Sequence, residues 1–149
     1  RISNGYLSFN GKVLNYNNIR EWRNNIHYCD QFPKLFKRSI MENINYNNED
    51  SIQDLINKFN LISLIDKTKE NEKSIVSGGQ KQIISVFRLL TLNKPIILID
   101  EPTASLDINY KEIIFKMIKY MKLQKKIIII ATHDKELLKL ADKIIPNFN

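Results

Sequence analysis

The sequence is short of cysteine and of long apolar runs. Its 149 residues include one cysteine, Cys29, so an internal disulfide and a cysteine-based zinc site are both excluded. Cys29 stands in an apolar run and is expected to be a buried, unreactive thiol. No apolar run approaches the roughly 18 residues of a membrane-spanning helix, and repeats are missing. With 43% hydrophobic and 26% charged residues, the composition is typical of one globular domain with a sizeable core.

The charge is basic but not concentrated. Lysine and arginine number 23 against 16 acidic residues, a formal net charge of +7. Scattered lysines carry most of it, and there is no dense basic stripe with interleaved aromatic residues, so no nucleic acid is expected as a partner. A solvated basic surface and attraction to an anionic membrane face both remain open.

Glycine is scarce as well, and two of the four glycines stand side by side. They lie in residues 76–82, directly before a mostly apolar stretch that suits a helix. Ser77 is expected to be the N-cap of that helix, with Gly78 and Gly79 opening it. Such a helix start presents free N–H groups and the positive end of a helix dipole, which suits a phosphate. An ordinary loop before a helix would explain the same three residues.

Hydrophobic periodicity predicts an α/β fold. Asn10-Gly11 between two extended runs predicts a β-hairpin, and apolar runs bounded by proline or acidic residues predict buried strands of a parallel sheet. The expected strands are residues 6–9, 12–14, 26–29, 96–99, 127–131 and 143–145. The expected helices are residues 17–23, 39–43, 49–66 (one or two helices), 77–93, 109–121 and 135–140, with a polar linker over 67–74. This alternation is typical of an open parallel sheet covered by helices.

Polar residues follow three of the predicted strands: Gln31, the pair Asp100-Glu101, and His133. In open parallel sheets, ligands bind at the carboxyl ends of strands. An acidic pair after four aliphatic residues suits magnesium–nucleotide chemistry, with Asp100 at the metal's water shell and Glu101 polarising an attacking water. His133 would contact a terminal phosphate or support that water. Each residue also has a plainer interpretation: a carboxylate that caps a turn, a structural histidine, a loop glutamine.

Together these segments resemble the ATP-binding cassette (ABC) ATPase family. Residues 76–82, VSGGQKQ, resemble the family signature, which usually begins with leucine. Residues 96–107, IILIDEPTASLD, resemble the Walker B strand followed by the catalytic glutamate and the D-loop. Residues 28–31, YCDQ, resemble the Q-loop, and residues 131–134, ATHD, resemble the switch-histidine segment. The order and spacing of the four segments agree with the family across nearly the whole chain.

The resemblance implies a P-loop NTPase-like parallel sheet with flanking helices and a small helical subdomain, and it implies ATP and Mg²⁺ as ligands. Glu101 and His133 would be catalytic, and Asp100 and Gln31 would bind Mg²⁺. Nucleotide contacts would come from Ser77, Gly78, Gly79, Gln80, Gln31 and Asp107.

The resemblance also implies partners. Two such domains pair head to tail, so that the signature residues serve the nucleotide of the other domain. A transmembrane domain or subunit would be the second partner, reached through Gln31. The implied location is membrane-associated, on the cytoplasmic face where ATP is present.

The family's phosphate loop is missing. That loop needs G-x-x-x-x-G-K-[ST] between a strand and a helix. At the one candidate, Gly11-Lys12, the upstream Gly5 is one position too far away, and Val13 replaces the Mg²⁺-binding hydroxyl. We therefore expect a partial domain, cut before its phosphate loop, and the start at Arg1 agrees with a fragment. Alone, it should bind ATP poorly and hydrolyse it barely.

The predicted division places a helical subdomain at about residues 32–75, with the Q-loop at its start, and the catalytic core at residues 76–149. The subdomain is short for a transporter, and residues 68–75 lack the glycine that the family usually has before the signature. Contact with a transmembrane partner is therefore expected to be altered.

The subtype signals are mixed. Residues 21–23 (EWR) and 35–36 (LF), followed by 39–44 (SIMENI), look like the exporter branch, whereas residues 132–134 (THD) look more like importers or lipoprotein-release ATPases. The longer match favours an exporter. A translation-associated cassette protein and a regulatory cassette that only donates its signature remain alternatives. The chromosome-structure and DNA-repair ATPases are excluded because their long coiled-coil insertion has no room between Gln31 and Ser77.

Overall fold

Two sheets organise the fold. The structure, a computed structural model, describes residues 5–45, 52–69, 76–92 and 94–146. The described strands are β1 (Ser8–Phe9), β2 (Lys12–Val13), β3 (Ile26–Cys29), β4 (Ile96–Asp100) and β5 (Ile127–Ala131). The first two form an antiparallel hairpin, and the other three form a parallel sheet in the order β3-β4-β5.

Helices alternate with the parallel strands, which confirms the predicted α/β class. The described helices are α1 (Ile19–Asn25), α2 (Ile40–Ile44), α3 (Ile52–Lys58), α4 (Ile62–Lys69), α5 (Gly78–Thr91), α6 (Ile108–Leu123) and α7 (Lys135–Leu138). Among these helices, none has the length and apolar character needed to cross a bilayer. The region predicted as one or two helices over 49–66 consists of two, because Asn60 adopts a left-handed φ of 54° between them.

The hairpin follows the prediction. Asn10 and Gly11 have positive φ angles of 50° and 75°, the combination that a two-residue hairpin turn requires. The turn pairs Ser8 with Val13 and Phe9 with Lys12.

Helices α5 and α6 cover one face of the parallel sheet. Cys29, Ile97 and Ile99 lie in this core with Phe87 of α5 and Met117 of α6, and all five side chains are buried. The prediction of a buried cysteine is confirmed. Burial raises the pKa of the Cys29 thiol, and the opposing effect of the Ser85 hydroxyl, 3.2 Å away, is smaller.

The opposite face of the sheet is partly open. β4 is buried as predicted, but the expectation of a second buried strand at residues 127–131 is wrong, because Ile127 and Ile129 are 49% and 57% exposed. β5 is an edge strand of the described sheet, and only its alternate residues, Ile128 and Ile130, pack against the core.

Two other segments differ from the predictions. Residues 143–145 do not form a strand, and Ile144 and Ile145 are 57% and 76% exposed. A strand requires a neighbour to complete its hydrogen bonds. In the described sheet β5 pairs with β4 alone, so residues 143–145 are not paired with it. The polar linker expected over 67–74 begins as the end of α4, and its residues from 70 onward lie outside the described part, as does the predicted end of the signature helix at residue 93.

Helices α2, α3 and α4 pack beside α5. As predicted, Ser39 caps α2: its Oγ accepts the Glu42 N–H at 3.2 Å, and the Glu42 carboxylate accepts the Ser39 N–H at 2.9 Å. The Phe59 ring lies 6.3 Å from Phe87 of α5 and 5.7 Å from Tyr120 of α6, centroid to centroid. These helices therefore share the core of α5 and α6, and the division near residue 75 stays a prediction.

Candidate nucleotide site

Three strand ends meet at one edge of the parallel sheet. The register aligns β3 with β4 and pairs Asp100 with Ala131 of β5. Gln31, Glu101 and His133, each a residue or two beyond its strand, are therefore brought to the same edge. The carboxyl edge of an open parallel sheet is where ligands of such folds bind.

Glu101 and His133 lie in contact. The Glu101 N–H donates to the Ala131 carbonyl at 2.9 Å, which holds the start of the turn after β4 against β5. The Glu101 carboxylate accepts from the Thr132 hydroxyl at 3.3 Å and from the His133 N–H at 3.4 Å, and its other oxygen lies 3.6 Å from His133 Nε2. The Glu101 side chain is only 19% exposed, whereas that of His133 is 91% exposed. A shielded carboxylate beside an open imidazole suits activation of a water next to a phosphate.

The backbone of Glu101 is itself unusual. Its φ is +41°, a left-handed conformation that costs a non-glycine residue about 1–3 kcal/mol and is concentrated at functional sites. The conformation turns the chain sharply at the end of β4, and the Ala104 N–H donates back to the Glu101 carbonyl at 3.2 Å. The fold therefore holds this carboxylate at the sheet edge at an energetic cost.

Asp100 ends β4 and accepts a hydrogen bond from the Tyr28 hydroxyl of β3 at 3.3 Å. Burial, followed by the charge of Asp100, raises the pKa of Tyr28, so the phenol stays a donor. A single carboxylate, completed by water and phosphate oxygens, is a usual donor set for nucleotide-bound Mg²⁺, and Asp100 fits it. Within the described ranges, no three His, Cys, Asp or Glu residues form an all-protein metal site.

Gln31 begins the loop after β3. The register pairs Cys29, the last residue of β3, with Ile99 of β4, so Gln31 follows β3 at the edge where β4 also ends, and it is half-buried. The loop turns at once, because the Asp30 carboxylate accepts the Phe32 N–H at 3.0 Å. Gln31 thus lies at the same edge as Asp100, and its role as a metal ligand stays a prediction.

The signature segment starts α5 as predicted. Ser77 is the N-cap: its Oγ accepts the Gln80 N–H at 3.2 Å, and the Gln80 side chain accepts the Ser77 N–H at 2.8 Å. This capping box engages the side chains of both Ser77 and Gln80. The remaining N–H groups of the first turn carry the positive end of the dipole of a 14-residue helix.

The two glycines of the signature differ in their surroundings. A Cβ built on Gly79 would lie 2.9 Å from the Tyr110 ring and 3.2 Å from Leu106, whereas one built on Gly78 would meet nothing within 4 Å. Gly79 therefore lets the start of α6 approach the signature helix closely, and Gly78 leaves the first turn open to a ligand.

Replacing Gly79 by alanine is expected to lower the free energy of unfolding by about 1–3 kcal/mol, because the added methyl overlaps the Tyr110 ring. The measurement is urea unfolding of the 149-residue chain. Gly78→Ala is the matched control and should leave stability unchanged or slightly raised, since alanine favours a helix more than glycine does. Equal stabilities of the two variants would contradict the assignment of Gly79 to packing.

Asp107 is a helix cap at the start of α6. Its carboxylate accepts the Tyr110 N–H at 3.0 Å. The preceding Ser105 has a left-handed φ of 59°, and the Leu106 N–H donates to the Thr103 carbonyl. The predicted D-loop is thus a set of tight turns between β4 and α6, and through Leu106 and Tyr110 it lies against the signature segment.

The predicted site residues fall into two groups. The strand-end group holds Gln31, Asp100, Glu101 and His133 at the sheet edge. The helix-start group is Ser77, Gly78, Gly79, Gln80 and Asp107, gathered where α5 and α6 begin. In the described part of the chain, no hydrogen bond or ion pair joins the two groups directly.

A parallel sheet flanked by helices, with polar strand ends and a glycine-opened helix, defines an open α/β domain with a candidate ligand site at the carboxyl edge of its sheet. The chain belongs to the ABC transporter family, whose sequence profile matches residues 1–104. The matched range contains Gln31, the signature and the Asp100-Glu101 pair, and it ends before Asp107 and His133. The predicted family is confirmed, and ATP is the nucleotide of that family.

Similar proteins extend across nearly the whole chain. It is 33% identical to ABC transporter B family member 2 of Dictyostelium discoideum over 94% of its own length, but it spans only 11% of that protein. It is 31% identical to the energy-coupling factor transporter ATP-binding protein EcfA1 of Mycoplasma genitalium, over 95% of its length and 54% of that protein. A solved bacterial Atm1-family ABC exporter with ATP bound shares the fold, with a TM-score of 0.72 at 23% identity, covering 94% of this chain and 26% of the exporter.

Sequence reasoning missed three hydrogen bonds near the strand ends. Tyr28 hydrogen-bonds to Asp100, and Asp134 binds both Thr103 and Lys111. Asp134 stands in the THD segment and Thr103 in the Walker B segment, so both belong to motifs that the sequence shows. Their contact was not predictable because the two residues lie far apart in the chain. Lys111 lies on α6, and its side chain is 32% exposed.

Proposed function

We propose that this chain is part of the nucleotide-binding domain of an ABC transporter, in which ATP hydrolysis drives transport across a membrane. The observation that carries the proposal is the contact of Glu101 with His133 at adjacent strand ends. Glu101 accepts a proton from the attacking water, and His133 supports that water and the terminal phosphate. The preformed turn of Glu101 keeps the base in place without reorganisation.

Mg²⁺ would be held by Asp100 and Gln31 at the same edge. The bound ion would neutralise charge on the phosphates. Asp100 presents its carboxylate with Tyr28 as hydrogen-bond donor, and Gln31 would supply a neutral oxygen from the neighbouring strand end.

The helix-start group serves a different nucleotide. Ser77, Gly78, Gly79 and Gln80 would contact the ATP of a second ABC domain paired head to tail, with Asp107 at the same interface. The open surface at Gly78 and the dipole of α5 support this role.

The domain is proposed to be completed by a segment with a phosphate loop. No such loop is present in the 149 residues, while β5 has an unpaired edge in the described sheet and exposes Ile127 and Ile129 beside it. The strand, phosphate loop and helix of that segment would pair with the edge of β5 and cover Ile127 and Ile129. The division into residues 32–75 and 76–149 belongs to the same proposal.

A transmembrane domain or subunit is the proposed second partner, which places the protein at a membrane on the face where ATP is present. An exporter is favoured by the EWR and SIMENI segments. The THD segment at residues 132–134 keeps an importer-type or lipoprotein-release ATPase as the alternative, with a translation-associated cassette protein behind it. Hydrophobic spans in the flanking gene sequence would support a transporter, and a second cassette would support the translation factor.

Without a phosphate loop, the chain of residues 1–149 is expected to show no shift in melting temperature with Mg-ATP. Stabilisation by a ligand scales with its concentration relative to Kd, about 2.7 kcal/mol at a hundredfold excess, so weak binding leaves the melt unchanged. The control is the same domain extended by its phosphate-loop segment, which should melt several degrees higher with Mg-ATP. A rise of several degrees for the 149-residue chain itself would overturn the prediction.

A further inference from the structure

The carboxylate of Asp134 joins three elements next to the proposed catalytic pair. Its Oδ2 accepts from the Thr103 hydroxyl at 2.9 Å and from the Lys111 ammonium of α6 at 3.0 Å. Its Oδ1 caps α7 by accepting the Glu136 N–H at 2.9 Å. The Asp134 side chain is 13% exposed, and Thr103 is buried.

These bonds favour the charged form of Asp134. Burial raises its pKa, but the hydrogen bonds from Lys111, Thr103 and the Glu136 N–H together outweigh that effect and lower it. Hydrogen bonds to an ionised acceptor are shorter and stronger than neutral ones. We call the bonds of Asp134 with Thr103, Lys111 and the Glu136 N–H the junction. Because these bonds are charge-assisted, the junction holds the segments it joins firmly.

The junction lies immediately beyond both proposed catalytic residues. Thr103 stands two positions after Glu101 on the same turn, which the Ala104 N–H closes onto the Glu101 carbonyl. Asp134 directly follows His133. The bond between Thr103 and Asp134 thus ties the turn that carries Glu101 to the loop that carries His133.

A second connection runs through Thr132. The Asp134 N–H donates to the Thr132 hydroxyl at 3.0 Å, and that hydroxyl donates to the Glu101 carboxylate at 3.3 Å. A hydroxyl can accept one bond and donate another, so the backbone of Asp134 orients the donor that contacts Glu101. The His133 side chain is almost fully exposed, so its position depends on this backbone rather than on packing.

We propose that Asp134, acting through Thr103 and Lys111, is a positioning residue for ATP hydrolysis that sets the separation of Glu101 and His133. This inference rests on the proposed function, because it assigns hydrolysis to that pair. Lys111 extends the junction to α6, whose first turn lies against Gly79 of the signature. A misplacement of about 1 Å in such a pair costs about 100-fold in rate.

The test uses near-isosteric variants. Asp134→Asn turns an NH₂ group toward at least one of the donors that the carboxylate accepts, and Thr103→Val removes the hydroxyl at constant volume. Thr103→Ser keeps the hydroxyl. Asp142→Asn is the matched control, because Asp142 also pairs with a lysine of α6, Lys122, at 2.8 Å, but is 88% exposed and distant in sequence from the catalytic residues.

The first readout is independent of activity: amide hydrogen exchange of Glu101 and His133 in the 149-residue chain. Asp134→Asn and Thr103→Val should speed exchange at both amides at least about tenfold relative to α5 amides. Thr103→Ser and Asp142→Asn should leave exchange unchanged. Unchanged exchange in Asp134→Asn and Thr103→Val would overturn the proposal.

The second readout is steady-state ATP hydrolysis by the assembled protein, meaning the domain completed with its phosphate-loop segment and paired with a second ABC domain. Asp134→Asn and Thr103→Val should lower kcat about 10- to 100-fold with KM for ATP within about twofold, and Thr103→Ser should restore kcat. Normal kcat in both variants, or an equal loss in Asp142→Asn, would overturn the inference. Absence of hydrolysis in the unmodified protein would instead refute the proposed function, and the exchange measurement would then decide the positioning role alone.

Discussion

Replacing Glu101 by glutamine is expected to lower ATP hydrolysis by the assembled protein about 100- to 10,000-fold, the usual contribution of a positioned general base. Glutamine keeps the size of the side chain and an oxygen for the Thr132 hydroxyl and the His133 N–H, which contact Glu101 at 3.3 and 3.4 Å. The loss therefore arises from proton transfer and not from unfolding. Affinity for ATP should stay unchanged, because Glu101 acts on water.

The measurement is phosphate release with ATP affinity determined in parallel. Glu112→Gln is the matched control, since Glu112 is an exposed glutamate on α6 and its loss should leave both quantities unchanged. A Glu101→Gln variant whose rate stays within about tenfold of the unmodified protein would show that another group activates the water.

The second large effect concerns Gly78. A carboxylate introduced by Gly78→Asp would enter the open space at the start of α5, where the account places the phosphate of a partner's ATP. Two like unit charges about 4 Å apart repel by about 4 kcal/mol at an effective dielectric constant near 20, close to a thousandfold in an equilibrium constant. Hydrolysis should fall by about that factor.

Gly78→Ala is the control for this substitution. The methyl group meets no atom of the chain within 4 Å and carries no charge, so it reports the steric part of the effect, and hydrolysis should fall much less than in Gly78→Asp if charge is the main cause. Equal losses in both variants would mean that the backbone of Gly78, and not the electrostatics of the helix start, is what the site requires.

Locally encoded features were predictable from the sequence. Asn10-Gly11 set the hairpin turn, Ser39 and Ser77 capped their helices, and the aliphatic run before Asp100 formed the central strand, because each depends on residues a few positions apart. Contacts between distant segments were not predictable. The bonds of Asp134 with Thr103 and of Tyr28 with Asp100 depend on strand register, and one sequence does not reveal register.

The wrong predictions have a common physical origin. Residues 143–145 and the alternate residues of β5 are apolar enough for buried strands, but burial and pairing require a neighbour. Ile127, Ile129, Ile144 and Ile145 are all exposed in the structure. The composition of a segment indicates that it could form a buried strand, but the strand forms only where a neighbouring segment pairs with it and covers it.

The central claim is that the start of α5 serves a nucleotide held by a second domain. The most direct test uses the domain completed with its phosphate-loop segment, and compares Glu101→Gln with Glu101→Gln/Gly78→Asp. ATP affinity of the monomer is measured by calorimetry at low protein concentration, and pairing by sedimentation velocity at high concentration. The account predicts equal monomer affinities, with ATP-dependent pairing present in the first variant and lost in the second. Weaker ATP binding by the Gly78→Asp monomer would place the signature against its own nucleotide and contradict the account.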